Sequence, residues 1–171
     1  MTHILETPRL ILREIEPKDF DFIADLLGNS EVMEYWPKPY TREEARRWLE
    51  KQQDRYCKEG FGYWLVLKRY TNNPIGQAGL LRMSIEGKQE IGLGYIFHRA
   101  FWKKGFATEA ASACINYAFE DLNISRVIAL VRPENLASQR VVQKLNMMPV
   151  GITDYAGFKH LIFVVERRIV E

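Results

Sequence analysis

The chain has 171 residues, a length that fits one domain with a sizeable hydrophobic core. Hydrophobic residues make up 47% and charged residues 27% of it, which is typical of a globular protein and not of a disordered or fibrous one. The formal net charge of +2 is small, and basic residues alternate with acidic ones, so the sequence does not indicate a nucleic-acid partner.

The sequence also lacks the usual signs of a membrane, secreted or metal-binding protein. No apolar stretch is long enough to span a bilayer, and MTHILETPRL does not have the regions of a secretion signal. Cys57 and Cys114 are predicted to be reduced, packed thiols, and the three histidines have no metal-ligand spacing, so no metal site is expected. We therefore expect a cytoplasmic protein.

The first part of the chain predicts a strand followed by two helices. Residues 9–15, RLILREI, alternate as in an opening strand. Pro17 starts a helix, and the prolines of the next segment, YWPKPY, predict a stiff aromatic loop. Thr41 is predicted to cap a second helix, which stops at Gly60.

The rest of the chain predicts six more strands. Three strand-like runs are joined by hairpin-type turns, and an alanine-rich helix leads to the strand RVIALV, which Pro133 stops. A short helix and a closing hairpin around Gly157 follow. We predict a single mixed α/β (α+β) domain over residues 1–171, with a mostly antiparallel seven-stranded sheet, about four helices and one helical crossover.

The strand EIGLGYIF has two different faces. Two-residue alternation puts Glu90, Gly92, Gly94 and Ile96 on one face and an ordinary apolar set on the other. On the first face a carboxylate precedes a lane without side chains, which would let a ligand or another backbone come close. A bulge or close helix packing explains the glycines equally well, and the segment that follows favours the ligand.

The segment RAFWKKGFATE has the features of an anion-binding helix start. The first amides of a helix are unpaired and lie at the positive end of its dipole. Gly105 lets the turn close without a side chain, and Ala107 and Thr108 are small enough to leave these amides uncovered, while Lys103 and Lys104 add positive charge. Neither a dinucleotide fingerprint nor a P-loop is complete in the chain.

The stretch VRPENLASQ indicates a place where two strands separate. Pro133 removes a backbone donor at the end of its strand, so free backbone groups could pair with an extended, amide-containing ligand. Asn135 is predicted to cap the next helix, and this role explains the residue at least as well as contact with a ligand does. Ser138 in the first turn could equally be a surface hydroxyl.

In this order, WKKGFATEA, RPEN and NLASQRVVQKLNM resemble the GNAT superfamily of acetyl-CoA-dependent N-acetyltransferases. The opening LETPRLILRE and the wording FWKKGFATEA are most similar to the branch of ribosomal-protein N-terminal acetyltransferases. The resemblance covers nearly the whole chain. It implies a GNAT-like sheet splayed in the middle and transfer of acetyl from acetyl-CoA to a primary amine.

The resemblance also implies the cofactor contacts. The pyrophosphate would lie on the amides of residues 103–108, although Trp102 stands where the family's loop begins with a polar residue. The pantetheine arm would pair with backbone near Ile96, Phe97 and His98, and Asn135 would reach the cofactor. Asn146 would supply the left-handed turn that the family usually gives to glycine.

The catalytic residues follow from the same resemblance and from the chemistry of amines. Many family members have a tyrosine seven residues after the asparagine as general acid; here Val142 stands there, and Ser138 is the substitute used in the ribosomal branch. A protonated amine must lose a proton to a base before it can attack, and Glu90 is the candidate base. The alternative is that Glu90 is only a solvent-facing residue at the end of its strand. The oxyanion would meet a backbone N–H near Phe97 or His98.

The amine acceptor is the least defined part of this prediction. In the ribosomal branch the first two helices and their loop form one wall of the acceptor site, and the candidate residues here are aromatic: Tyr35, Trp36, Tyr40 and Tyr63, with Trp48 and Trp64 nearby. A peptide N-terminus, an arylalkyl amine and a polyamine fit equally well. A homodimer is the candidate assembly. The alternative function is that of a non-catalytic acyl-CoA-binding sensor or interaction module.

Overall fold

A computed structural model describes residues 3–169. The strands are β1 (His3–Glu6), β2 (Leu10–Glu14), β3 (Tyr63–Lys68), β4 (Pro74–Ile85), β5 (Lys88–Phe97), β6 (Arg126–Val131), β7 (Met148–Tyr155) and β8 (Phe158–Glu166). The helices are α1 (Phe20–Gly28), α2 (Arg42–Glu59), α3 (Phe106–Glu120) and α4 (Leu136–Lys144). The prediction of seven strands was one short, because the four-residue strand β1 was missed.

The eight strands form one sheet in the order β1-β2-β3-β4-β5-β6-β8-β7. Every neighbouring pair is antiparallel except β5 and β6, which run parallel and are joined by α3. The mixed fold with a mostly antiparallel sheet and one helical crossover is therefore confirmed. No helix within residues 3–169 is long and apolar enough to cross a membrane.

The parallel pair is held together at a single position. Gly92 of β5 lies opposite Ile128 of β6, and the ladder does not continue beyond this pair. By contrast, β4 pairs with β5 along the whole strand, and β8 pairs with β6 from Arg126 to Val131. The sheet is therefore splayed between two strands that are each well anchored on their other side.

The two faces of the sheet carry different helices and different cores. One core includes the α3 residues Ala110, Ala111 and Cys114, all fully buried, which explains the alanines of this helix as close packing on the sheet. The other core includes side chains of α1, α2 and the loop between them, with Tyr63 and Ile96 of the sheet. The face that carries α1 and α2 is the predicted acceptor side.

Local signals for turns and caps are confirmed. Thr41 and Glu44 form a reciprocal capping box at the start of α2, and Gly60 ends that helix at φ +80°. Asn146 adopts φ +60° just after α4, as predicted for a residue in place of glycine. Of the two cysteines, Cys114 is buried, but Cys57 is exposed, so the prediction of a packed thiol was wrong there.

The lane of glycines on β5 is filled by the protein itself. Tyr63, Gly79 and Gly94 lie in one row across β3, β4 and β5. The Tyr63 side chain crosses Gly79, and its hydroxyl occupies the place that a Cβ on Gly94 would need. Met83 covers Gly92 in the same way. The glycines therefore leave room for neighbouring side chains, which corrects the expectation of an empty lane.

Strand β7 is an edge of the sheet with apolar side chains exposed to solvent: Met148, Val150 and Ile152. A second copy of the chain is one way to cover such a strip. The homodimer stays a prediction.

The packing at Gly79 gives a first prediction. In Gly79→Ala the new methyl group would lie 2.7 Å from the Tyr63 Cα and overlap the Gly62 carbonyl group, so backbone must move. We expect a loss of about 1–3 kcal/mol in the free energy of unfolding. Gly151→Ala is the control, since nothing lies within 4 Å of its added Cβ, and urea unfolding should place it within about 0.5 kcal/mol of wild type. Equal effects of the two substitutions would contradict this packing.

Candidate active site

The turn before α3 brings together the residues predicted to bind pyrophosphate. Lys103 and Gly105 both have left-handed backbone conformations, with φ +60° and +80°, and α3 begins immediately afterwards. No side chain caps this helix start. The first amides, which include those of Ala107 and Thr108, therefore have the orientation and the local positive field that bind an anion. Lys104 is exposed beside them.

The contacts of Trp102 show how an aromatic residue can replace the family's polar residue at the start of this turn. Its indole N–H donates a hydrogen bond of 2.8 Å to the Phe97 carbonyl oxygen at the end of β5. The bond fixes the turn to the strand that precedes it. An aromatic donor can therefore replace the polar residue without opening the loop.

The backbone of β5 offers free groups toward β6: the N–H and C=O of Tyr95 and the N–H of Phe97, whose carbonyl oxygen is taken by Trp102. On a strand, successive residues direct their N–H and C=O groups to opposite sides. The His98 N–H donates to the Ile75 carbonyl oxygen of β4 (2.9 Å), so His98 and Ile96 face β4, and Tyr95 and Phe97 face β6. Within the part of the chain that the structure describes, the ladder between β5 and β6 ends at Gly92.

This geometry corrects the stretch predicted to meet the pantetheine arm. His98 is engaged twice by the protein, since its Nδ1 also accepts the Ala100 N–H at 3.2 Å. The backbone of Ile96 pairs within the sheet. Only Phe97 of the three predicted residues faces the gap, and Tyr95, which the sequence did not single out, faces it as well.

The start of α4 lies on the other side of the gap. The Asn135 side chain accepts the Ser138 N–H at 3.1 Å, so it caps the helix as predicted. The hydroxyl groups of Ser138 and Tyr95 are 2.7 Å apart and share a hydrogen bond. Burial raises the pKa of Tyr95 to about 12, although its bond with Ser138 acts in the opposite direction. Val142 is fully buried in the core, and its side chain has no ionisable proton with which to act as an acid.

Glu90 lies far from this gap and already has a partner. Its carboxylate accepts a hydrogen bond from Arg126 Nε at 3.2 Å, and Arg126 also contacts Glu166 on β8. Five residues of strand, about 17 Å, separate Glu90 from Tyr95, which is beyond the reach of one bridging water. Its role as general base stays a prediction. The predicted alternative of a solvent-facing strand end was wrong, because the Glu90 side chain is only 15% exposed and forms an ion pair with Arg126.

Most of the aromatic residues predicted to line the acceptor site pack together on the α1–α2 face. The ring centroids of Tyr40 and Trp48 are 6.0 Å apart, and those of Trp48 and Tyr63 are 5.1 Å apart. Trp36 packs against the same core. The Trp48 indole donates to Gln77 Oε1 at 3.1 Å, which holds this row on the sheet. Trp64 lies on the opposite face, against α3.

Arg132 connects the two walls of the acceptor side. Its Nη1 donates to the Tyr35 carbonyl oxygen of the loop after α1 at 3.3 Å, and its guanidinium lies 4.0 Å from the centre of the Phe158 ring on β8. The loop and the closing hairpin are thus held on either side of the end of β6.

Comparison with known protein families matches residues 9–148 to the Acetyltransferase (GNAT) domain. The chain belongs to the GNAT acetyltransferase family. A Bacillus subtilis relative described as the uncharacterized N-acetyltransferase YnaD is 32% identical over 148 residues, which cover 86% of this chain and 84% of the relative.

Solved structures agree with this assignment. A GNAT-family acetyltransferase from Bacillus anthracis has a TM-score of 0.80 at 25% identity, over 94% of this chain and 96% of that one. The ribosomal-protein-S5-alanine acetyltransferase from Vibrio fischeri has a TM-score of 0.77 at 20% identity, over 95% of each chain. At that identity the likeness shows the shared fold alone.

This GNAT domain is an N-acetyltransferase whose acyl donor is acetyl-CoA, and its residues fit that molecule. The uncapped first turn of α3 suits a pyrophosphate, because no side chain within residues 3–169 makes a capping hydrogen bond there. The N–H and C=O groups of Tyr95 and the N–H group of Phe97 suit the amides of a pantetheine arm. Both lie at the same end of β5, joined by the turn that contains Trp102.

Glu109 and Arg9 support the phosphate loop through a long-range contact that the sequence did not predict. Glu109 accepts hydrogen bonds from the Thr7 hydroxyl (2.6 Å), the Arg9 N–H (3.0 Å) and Arg9 Nε (2.6 Å). Arg9 Nη1 also donates to the Lys104 carbonyl oxygen at 3.0 Å. Burial alone would raise the pKa of Glu109, but these bonds lower it below its ordinary value. Arg9 thus clamps the loop from about 100 residues away, which no local pattern could reveal.

We expect this clamp to matter for cofactor affinity. Arg9→Met removes the side-chain contacts with Glu109 and Lys104 and should weaken CoA binding about fivefold, or about 1 kcal/mol, since the pair is partly exposed. Isothermal titration calorimetry with CoA measures the change.

The control for the clamp is Arg167→Met. Arg167 binds the other end of α3 through the Phe119 carbonyl oxygen and Asn123, at 2.9 and 2.8 Å. The Arg167→Met substitution should leave the affinity for CoA unchanged. A clamp role for Arg9 is refuted if the two variants bind CoA equally well.

Proposed function

We propose that this enzyme transfers acetyl from acetyl-CoA directly to a primary amine, and that the α-amino group of a peptide is the preferred acceptor. The observation that carries the proposal is the gap between β5 and β6, which lies beside an uncapped helix start and next to Ser138. The cytoplasmic location expected from the sequence stays part of the proposal.

The residues around the gap have separate roles in this reaction. Acetyl-CoA supplies an activated acyl carbon and a thiol leaving group. The backbone N–H groups of Tyr95 and Phe97 hold the pantetheine arm, and one of them can stabilise negative charge on the carbonyl oxygen. Ser138 donates its hydroxyl proton to the sulfur as the amine nitrogen replaces that sulfur on the acyl carbon.

The choice of acceptor follows from charge and pKa. Two carboxylates near the acceptor loop are paired with basic side chains, Glu31 with Arg99 and Glu44 with Lys38, and are therefore less available to a polyamine. An α-amino group has a pKa of about 8, so a useful fraction is neutral without a strong base. The aromatic row of Tyr40, Trp48 and Tyr63 suits the apolar part of a peptide or arylalkyl amine.

The first test is whether the chain binds acetyl-CoA and consumes it. We expect a rise in Tm with acetyl-CoA, because a ligand that binds only the folded state stabilises it. We also expect release of free thiol with peptides that begin with Ser or Ala, at a higher kcat/KM than with 2-phenylethylamine or spermidine.

Other outcomes separate the alternatives. Spermidine as the best acceptor would contradict the peptide assignment. Stabilisation by acetyl-CoA without thiol release from any amine would favour the non-catalytic sensor, for which the buried Val142 in the family's tyrosine position is the supporting observation. Absence of stabilisation by acetyl-CoA would refute the proposed function.

The second test concerns the general base. Since Glu90 is bound to Arg126 and distant from the gap, we expect Glu90→Gln to keep kcat within about threefold of wild type. Glu166→Gln is the matched control, because Glu166 binds the same arginine from β8. A fall of 100-fold or more in kcat for Glu90→Gln alone would identify Glu90 as the base.

A further inference from the structure

We propose that Tyr95 is the positioning residue for Ser138. Its phenol donates a hydrogen bond to Ser138 Oγ and keeps the serine proton directed at the sulfur of the bound cofactor. This inference rests on the proposed function, since it concerns the acid of that reaction. It assigns a role to a residue that belongs to β5 and not to the helix that carries the serine.

The geometry places Tyr95 across the gap from Ser138. The backbone groups of Tyr95 face the gap, while its side chain extends to the first turn of α4. Its hydroxyl lies 2.7 Å from Ser138 Oγ and 3.4 Å from the Ser138 carbonyl oxygen. Ser138 is held from behind as well, because its N–H donates to the Asn135 side chain. The serine is therefore fixed at two atoms, on the wall of the gap.

The chemistry favours Tyr95 as the donor in this pair. A serine hydroxyl that accepts a hydrogen bond is itself a better donor, because hydrogen bonds in a chain polarise one another. Ser138 gives its proton to the sulfur whose bond to the acetyl carbon breaks, and takes the Tyr95 proton in return. Water then restores the Tyr95 proton, while the proton that the amine loses passes to solvent. A phenol is protonated at neutral pH even at its ordinary pKa of about 10, and burial raises the pKa of Tyr95 further.

This arrangement also accounts for Val142. In the family members that carry a tyrosine at that position, the phenol comes from α4. Here Val142 is buried in the core, and a phenol reaches the start of α4 from β5 instead.

The test compares CoA with desulfo-CoA, which lacks the sulfur atom. Wild type should bind CoA about tenfold more tightly than desulfo-CoA by isothermal titration calorimetry. Tyr95→Phe and Ser138→Ala should each lose most of this preference, and the double variant should lose no more than Ser138→Ala alone. Affinity for desulfo-CoA should stay constant in all of them, since none of the changes affects the backbone contacts.

Turnover gives an independent readout. We expect kcat to fall about 10- to 100-fold in Tyr95→Phe with little change in the KM for acetyl-CoA, and Ser138→Thr to retain activity that Ser138→Ala loses. Tyr117→Phe is the control for removal of a phenol hydroxyl, because Tyr117 packs on Trp64 away from the gap. It should match wild type in both assays.

The outcomes distinguish this inference from the proposed function. If wild type releases thiol but Tyr95→Phe keeps the preference for CoA, Tyr95 has no role and the acetyltransferase assignment stands. Independent, additive losses in the two single variants would also overturn the coupling. If wild type binds neither CoA nor desulfo-CoA, the proposed function fails, and the inference fails with it.

Discussion

The active site depends on one break in backbone pairing, between the parallel strands β5 and β6. A buried backbone group without a partner costs about 1–3 kcal/mol, so a sheet normally closes such a gap. Here it cannot close easily, because β4 holds β5 along its length and β8 holds β6. The backbone groups of Tyr95 and the N–H of Phe97 are thus kept in place, and in the proposed function they meet an extended ligand that carries its own amides.

The helix that joins these strands explains why the gap and the anion site belong together. A parallel connection requires a crossover, and α3 supplies it. The chain leaves β5, turns through left-handed residues at Lys103 and Gly105, and presents the bare start of α3. Arg9, in the turn between β1 and β2, braces this turn through the Lys104 carbonyl oxygen, so the N-terminal segment contributes to the site from the far side of the sequence.

Local chemistry was predictable from the sequence, and cross-strand relations were not. The caps at Thr41 and Asn135 and the left-handed Asn146 depend on neighbours a few residues away, and all were expected. The lane of glycines was misread because its occupants, Tyr63 and Met83, come from other strands. In the same way, the partner of Glu90 is Arg126, and which backbone groups of β5 face the gap depends on its register with β4.

The two faces of the sheet have different roles in the proposed site, as Tyr63 and Tyr95 show. Tyr63 aligns with Gly94, which is the residue before Tyr95. Tyr63 lies on Gly94 on the α1–α2 face, beside the aromatic wall, whereas Tyr95 extends from the next residue to α4 on the opposite face. In the proposed reaction, selection of the acceptor and protonation of the leaving group therefore depend on different elements. Changes in the loop after α1 or in the closing hairpin can alter acceptor preference without moving Ser138. A fold organised in this way can serve many amines with one acetyl donor, because only the outer wall has to change.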